Sequence, residues 1–211
     1  MRLLSERHVR RLDGQKDDLY AALRQGRGWP GVSECLSAHA AALLRLGCMG
    51  DLVRVLWWLA TVALVGIFGY AVWALPSQVP MHVDLAGNVT EWGDKTGLLA
   101  GLATGVGSSV LVGWLARGIG RSMSLDFVNV PSKDRWLPDH EAELRERVST
   151  DLYAVGAITS AMIGALTLGM VAIAHGAPTM PSWATIAGIG CVAVLLIQVV
   201  VMITVRYRSP G

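Results

Sequence analysis

The chain has 211 residues, of which 53% are hydrophobic and 16% charged, with a mean hydropathy of +0.46 and a net charge of +2. Soluble domains carry charge on about a quarter of their residues, so this composition argues against an ordinary soluble domain and for a membrane protein. The three cysteines, Cys35, Cys48 and Cys191, form no C-x-x-C pair or even spacing, which gives no sign of a zinc site, a disulfide framework or redox chemistry.

Residues 1–50 differ from the rest. Arg2, Arg7, Arg10, Arg11, Lys16, Arg24, Arg27 and Arg45 stand against Glu6, Asp13, Asp17, Asp18 and Glu34, the pattern of a basic, water-exposed tail. Residues 17–25 suit a short helix, which GRGWPG at 26–31 breaks, because glycine and proline are costly in a helix interior. Ser33 is placed to N-cap a second helix with Leu36, Ala40, Leu43 and Leu44 on one face, fit to lie on a membrane surface. This tail has no likeness to the remainder of the chain, so Met49 stands as an alternative start.

Residues 55–75 are 21 positions without a charge, close to the ~20 that span a hydrocarbon core of ~30 Å. Trp57 and Trp58 near one end and Tyr70 and Trp73 near the other match interfacial aromatic belts. A second span covers 98–116. Gly97, Gly101, Gly105, Ser109 and Gly113 recur there every fourth residue, laying small side chains along one face that invites a close helix neighbour. These glycines sit inside an apolar run with no G-K-[ST] after them, so they read as packing rather than as a phosphate cradle. Spans at 152–174, with Gly156, Ser160 and Gly164 again at four-residue spacing, and at 183–205 complete an all-α, four-helix transmembrane bundle.

Seventeen of the 18 basic residues fall on one side of these spans: nine before the first, six between the second and third, and two after the fourth, leaving only Lys95 opposite. By the positive-inside rule both termini are cytoplasmic, and the 75–95 loop faces outward. The chain then divides into a cytoplasmic tail (1–50), a first transmembrane hairpin (51–117), a cytoplasmic helical loop (118–150) and a second transmembrane hairpin (151–211). No Asp, Glu, Lys, Arg or His lies within the four spans, whereas proton relays and ion paths usually need ionisable groups at depth. Gln198, the most conspicuous deep polar residue, reads as an interhelical hydrogen bond. Thr104, Ser108 and Ser160 can bond carbonyls of their own helices.

The outward loop, LPSQVPMHVDLAGNVTEWGDK, has Pro76 and Pro80 to hold it extended. Val79, Met81, Val83 and Leu85 then share one face, with His82 and Asp84 on the other. Gly87-Asn88 signals a turn, and NVTEW returns as a second strand that places Trp92 at the interface. His82, Asp84, Glu91 and Asp94 could converge on a metal. They lack any recognised ligand spacing, so pairing with one another or with nearby backbone is the favoured reading, with no metal and no cofactor expected.

This loop resembles the L-P-x-x-[IV]-P-x-H-[aromatic]-[ND]-x-x-G…W-G-x-K signature of the bacterial domain of unknown function sixteen-forty-eight, found at the N-terminal part of SdpI-like membrane proteins. Leu75, Pro76, Val79, Pro80, His82, Asp84, Gly87, Trp92, Gly93 and Lys95 match, with Val83 where an aromatic is usual. FVNVPSKDRWL is similar to the N-I-P-N-K-x-Y-W-L run common after that domain, matching at Asn129, Pro131, Lys133, Trp136 and Leu137 and departing at Ser132 and Arg135. The resemblance covers about residues 55–150 well and the last two spans loosely. It implies a bacterial cytoplasmic-membrane protein, and members of the SdpI type confer immunity against a secreted toxic peptide and sequester a repressor at the membrane. Such members carry further helices after the shared domain, whereas this chain has four spans.

In the loop between the second and third spans, residues 127–130 read as extended and Pro138 suits the first turn of a helix. Glu141 with Arg145 and Glu143 with Arg147 are i,i+4 pairs on a solvated helix that feeds the third span. Lys133, Arg135 and Trp136 suit anionic headgroups and are too few for nucleic acid. The leading expectation is a non-enzymatic membrane protein with no catalytic residues. Its outward loop (His82, Asp84, Gly87, Trp92, Lys95) binds a peptide, protein or lipid, and its cytoplasmic loop (Asn129, Lys133, Trp136) meets a protein partner. A scaffold subunit packed through the glycine ridge, and a transporter or membrane enzyme using His82 and Asp84, are the alternatives.

Overall fold

The structure is a computed structural model and describes residues 32–84, 86–131, 133–137 and 139–208, with side chains from residue 49 onward. The chain divides after Met49, and the unit Gly50–Gly211 holds the hairpin, the loops and the packed helices. In order come helix α1 (Val32–Ala74), strands β1 (Gln78–Val83) and β2 (Val89–Asp94), and helix α2 (Lys95–Arg121). A 3₁₀ turn (Leu125–Phe127) and a one-turn helix (Lys133–Trp136) lead to α3 (Glu141–Ala174) and α4 (Ser182–Val201), which continues as a π-helical turn (Met202–Arg206). Four helical segments are long and apolar enough to cross a membrane: Met49–Ala74, Lys95–Arg121, Glu141–Ala174 and Ser182–Arg206. Ser33 falls within α1, which the structure describes from Val32 onward, and its side chain lies outside the described residues. The expectations for residues 17–25 and 26–31, for the side chains of Leu36, Ala40, Leu43 and Leu44, and for Leu85, Ser132 and Pro138 fall outside the described residues.

α3 sits centrally, with buried residues along its whole length. It packs against α2 and α4 and meets α1 where Gly156 lies under Trp57 and Gly164 under Ile67. α4 buries only Ala184 and Gly188 and exposes Ile186, Ile189, Leu196 and Ile197, an apolar surface of the kind that a helix presents to lipid.

The small-residue ridge of α2 is buried only in its second half: Ser109 and Gly113 are buried and Gly105 half-buried, whereas Gly97 and Gly101 are exposed. A Cβ added at Gly97 would lie 3.0 Å from the Met81 methyl, and one at Gly105 3.2 Å from Ile163, while Gly101 meets nothing within 4 Å. At Gly113 an added Cβ would fall 2.0 Å from the Trp57 ring. Trp57 is therefore only 5% exposed, wedged between Gly113 of α2 and Gly156 of α3, and stacks obliquely on Tyr153 at 5.2 Å. The expectation that it belongs to an interfacial belt is corrected on this packing, whereas Trp73, at 83% exposure, stays on the surface. One turn along α1, Thr61 and Ser109 share a 2.7 Å hydroxyl contact, and Ser160 donates to Ser109 at 2.8 Å. Ser160 thus bonds across helices and not to its own backbone, while Thr104 does bond Ala100 O.

The segment before the third span is half-buried, which departs from the solvated helix expected. Leu144 and Val148 join Ile119, Leu125, Val130, Trp136 and Tyr207 in one apolar cluster. Both i,i+4 pairs form, Arg145 with Glu141 at 2.6 Å and Arg147 with Glu143 at 2.5 Å. Their arginines also brace the backbone: Arg145 Nη1 donates to Ile119 O and Met123 O at the end of α2, and Arg147 donates to Arg206 O.

Gly113→Ala forces the Trp57 ring aside, an overpacking that costs about 1–3 kcal/mol. Gly101→Ala, facing open space, stays within about 0.5 kcal/mol of the parent. Unfolding of the two variants in the same detergent checks the contrast.

Candidate functional site

The residues of the 75–95 motif converge because a short antiparallel ladder forms between two helix ends. Val79 pairs with Gly93, Pro80 with Trp92 and His82 with Glu91, with an irregularity at Met81. Val79 and Pro80 are buried, Met81 and Val83 half-buried, and Gln78 and His82 exposed. The alternation thus holds apart from Pro80, which the irregularity turns inward.

Each motif residue has a definite partner. His82 Nδ1 lies 2.7 Å from Glu91 Oε2 across the ladder. Asp84 accepts from Asn88 N at 2.8 Å and Asn88 Nδ2 at 3.2 Å, an Asx-type closure of the turn. Those Asn88 hydrogen bonds, backbone first, hold the Asp84 carboxyl below its ordinary value of 3.8. Gly87 takes φ +88°, a left-handed conformation that favours glycine, and its carbonyl accepts from Met180 N at 2.8 Å. Lys95 Nζ donates to Val72 O at 2.5 Å and Leu75 O at 2.9 Å, capping the last turn of α1, where a cation favours the helix dipole. Trp92 is exposed. Asp94 sits at the far end of the ladder, opposite Gln78, so the four candidate ligands do not meet. No group of three or more potential ligands forms a metal site among the described residues.

Beneath β1, between α3 and α4, lies a cavity of about 500 Å³, within the range of small-molecule pockets. Met162, Leu166 and Met170 of α3 face Gly188, Ile189 and Val192 of α4, with Met81 and Met180 at the hairpin end and His82, Asp84 and Thr185 as the polar lining. Four of the eight methionines in the chain therefore line this one slot, and methionine is the side chain that adapts best to irregular apolar guests.

The second motif lies at the opposite end of the helices and is mostly structural. Lys133 Nζ donates to Leu125 O at 2.5 Å, and Trp136, only 1% exposed, packs in the apolar cluster with the Arg147 guanidinium 4.9 Å above its ring. Trp136 is thus withdrawn from any headgroup. Asn129 is exposed and lines a smaller cavity of about 240 Å³ together with Pro131, Asp151, Met202 and Tyr207.

Asp151 is the residue that a sequence reading misses. α3 starts at Glu141, so this carboxylate belongs to a membrane-length helix, and it is 1% exposed. Tyr207 Oη donates to Oδ2 at 2.7 Å and Gln198 Nε2 to Oδ1 at 3.3 Å. Arg206 Nε stands 3.2 Å from Oδ1 as an ion pair without hydrogen-bond alignment. Gln198 does make an interhelical bond, to a charge. Burial first, then the bond to Asp151, push the Tyr207 phenol above its ordinary 10.0. The π-helical turn brings Arg206 and Tyr207 to this carboxylate, and such turns recur at specialised sites.

Two outcomes check these assignments. The stabilisation from Asp84 is complete above its unfolded pKa and disappears as pH falls through its lower folded value. Protection of the Asn88 amide, measured by NMR relative to its intrinsic exchange rate from about pH 5 to about pH 2, falls only in the lower part of that range, and Asp84→Ala removes the dependence. Asp151→Leu lowers unfolding stability in detergent by about 3 kcal/mol, the low end for breaking a buried pair, since Arg206 is 26% exposed; Tyr207→Phe costs about 1–3 kcal/mol.

No family model matches the chain, and no curated protein and no solved structure matches it significantly.

Proposed function

We propose that the chain is a multi-pass protein of the bacterial cytoplasmic membrane, SdpI-like in type, whose outward hairpin and the slot beneath it bind a membrane-partitioning amphipathic molecule and thereby protect the cell from it. The observation that carries this reading is the methionine-lined slot of about 500 Å³ directly under the motif hairpin. Support for the orientation comes from the charge bias, with 17 of 18 basic residues off the hairpin side. Support for the family comes from Gly87, whose backbone both turns the hairpin and accepts from Met180, and from Lys95, which closes α1. A pattern of residues with fixed structural duties is what a membership motif preserves. His82 and Asp84 are both engaged with hairpin neighbours and border an apolar slot, which favours binding over catalysis or transport. The Asn129 end, with Lys133 and Trp136 committed to local structure, offers the surface for a cytoplasmic protein partner.

Cells lacking the gene are expected to be sensitised to at least one member of a broad panel of membrane-active peptides and lipid-like amines, and restored by the parent gene but not by the double variant Met162→Trp with Thr185→Trp, which narrows the slot from both walls. Unchanged sensitivity across the panel removes the protective role.

A further inference from the structure

The slot has a direction and a chemistry that narrow its guest. Met162, Leu166 and Met170 are spaced i, i+4, i+8 on α3, and Thr185, Gly188, Ile189 and Val192 are spaced i, i+3, i+4, i+7 on α4. Each set lies on one helical face, so the slot runs along the helices for about 12 Å. α3 ends at Ala174, so the slot starts about one turn below the hairpin end and descends into the apolar part of the helices. Its walls below the hairpin offer one polar side chain, Thr185, and the two helices bond their own backbones. An extended peptide segment entering here would leave its N–H and C=O groups unpaired, at a cost of several kcal/mol per group in a medium without water. A hydrocarbon chain carries no such groups.

The rim above is acidic. Within residues 75–97 the charged groups are Asp84, Glu91, Asp94 and Lys95, and the Lys95 ammonium is held by Val72 O and Leu75 O. Asp84 borders the slot, and Glu91 stands beside it through His82. Carboxylates at this level favour a head that brings both positive charge and N–H donors, a primary ammonium, over a quaternary one that has no N–H to give.

We infer that the slot takes one acyl chain of a lipid whose head carries a primary amine, such as phosphatidylethanolamine, with the ammonium between Asp84 and Glu91. This rests only on the reading of the slot as a binding site and names its resident occupant, a lipid of the bilayer that an incoming amphipathic molecule must displace.

The test uses full-length protein in phosphatidylcholine nanodiscs doped with a phosphatidylethanolamine carrying a diazirine on one acyl chain, or with the matching phosphatidylcholine probe, and maps cross-links after illumination. The expected result is labelling centred on Met162, Leu166 and Met170, about five-fold stronger for the amine head, the factor that about 1 kcal/mol produces. The double variant Met162→Trp with Thr185→Trp abolishes the slot label without changing labels on the outward face of α4, and Glu91→Gln, at an exposed position, reduces the head preference. Labelling that does not distinguish the heads, or that spreads evenly over outward faces, overturns the inference. If an amphipathic helical peptide bearing photo-leucine labels the slot and excludes the lipid probe, the lipid assignment falls while the binding site stands. If neither probe labels the slot, both fail.

Discussion

The close approach of three helices around Trp57 is the constraint on which the rest of the packing depends. An indole can lie between two helices only where both present no side chain, and Gly113 and Gly156 supply that bare surface. Without a hydrophobic driving force between helices in lipid, such contact and a few hydrogen bonds must hold them together. The Thr61–Ser109–Ser160 hydroxyl chain lies one turn away on the same seam. Steric fit and polar pairing thus fix the rotation of α1, α2 and α3 about their axes, and with it the faces that α3 has left for α4.

α4 is held differently. Its hairpin end is seated through Ala184, buried over Gly169, whose added Cβ would come within 2.8 Å of it. Its other end is tied through Gln198, Arg206 and Tyr207 to one carboxylate. A charge that deep is tolerable because three donors or cations surround it, and removing any of them raises the cost of those that remain. Between these two attachments Gly188 rests against Leu166 of α3, and the slot runs beside that contact.

Much of this arrangement was legible in the residues, and the misses have physical causes. The hairpin, its turn at Gly87-Asn88, the four membrane-length helices and the glycine ridge follow from proline geometry, run length and spacing, and they are present. Trp57 misled because tryptophan near the end of an apolar run serves equally as an interfacial anchor or as a knob, and only the partner glycines on other helices decide between them. Asp151 was lost because a span defined by absence of charge stops at the first charge it meets. The signal was the series Leu144, Val148, Asp151, Val155, which puts the aspartate on the stripe that buries Leu144 and Val148. The slot had no local signature, since Met81, Met162, Met170 and Met180 come from three separate segments.

The hairpin joins more than the two helices it connects in sequence. Lys95 ties the last turn of α1 to the first of α2, and the Gly87 carbonyl ties the hairpin tip to the α3–α4 turn through Met180. All four helix ends are thus riveted at one level by main-chain or lysine hydrogen bonds, whereas at the opposite end only side chains reach from α3 to the chain beyond α4. The hairpin serves as a rivet, and its hydrogen bonds fix the spacing of the helix ends beside it. The slot lies next to the rivet, so its width is set in advance, and a guest entering it loses little to reordering the walls.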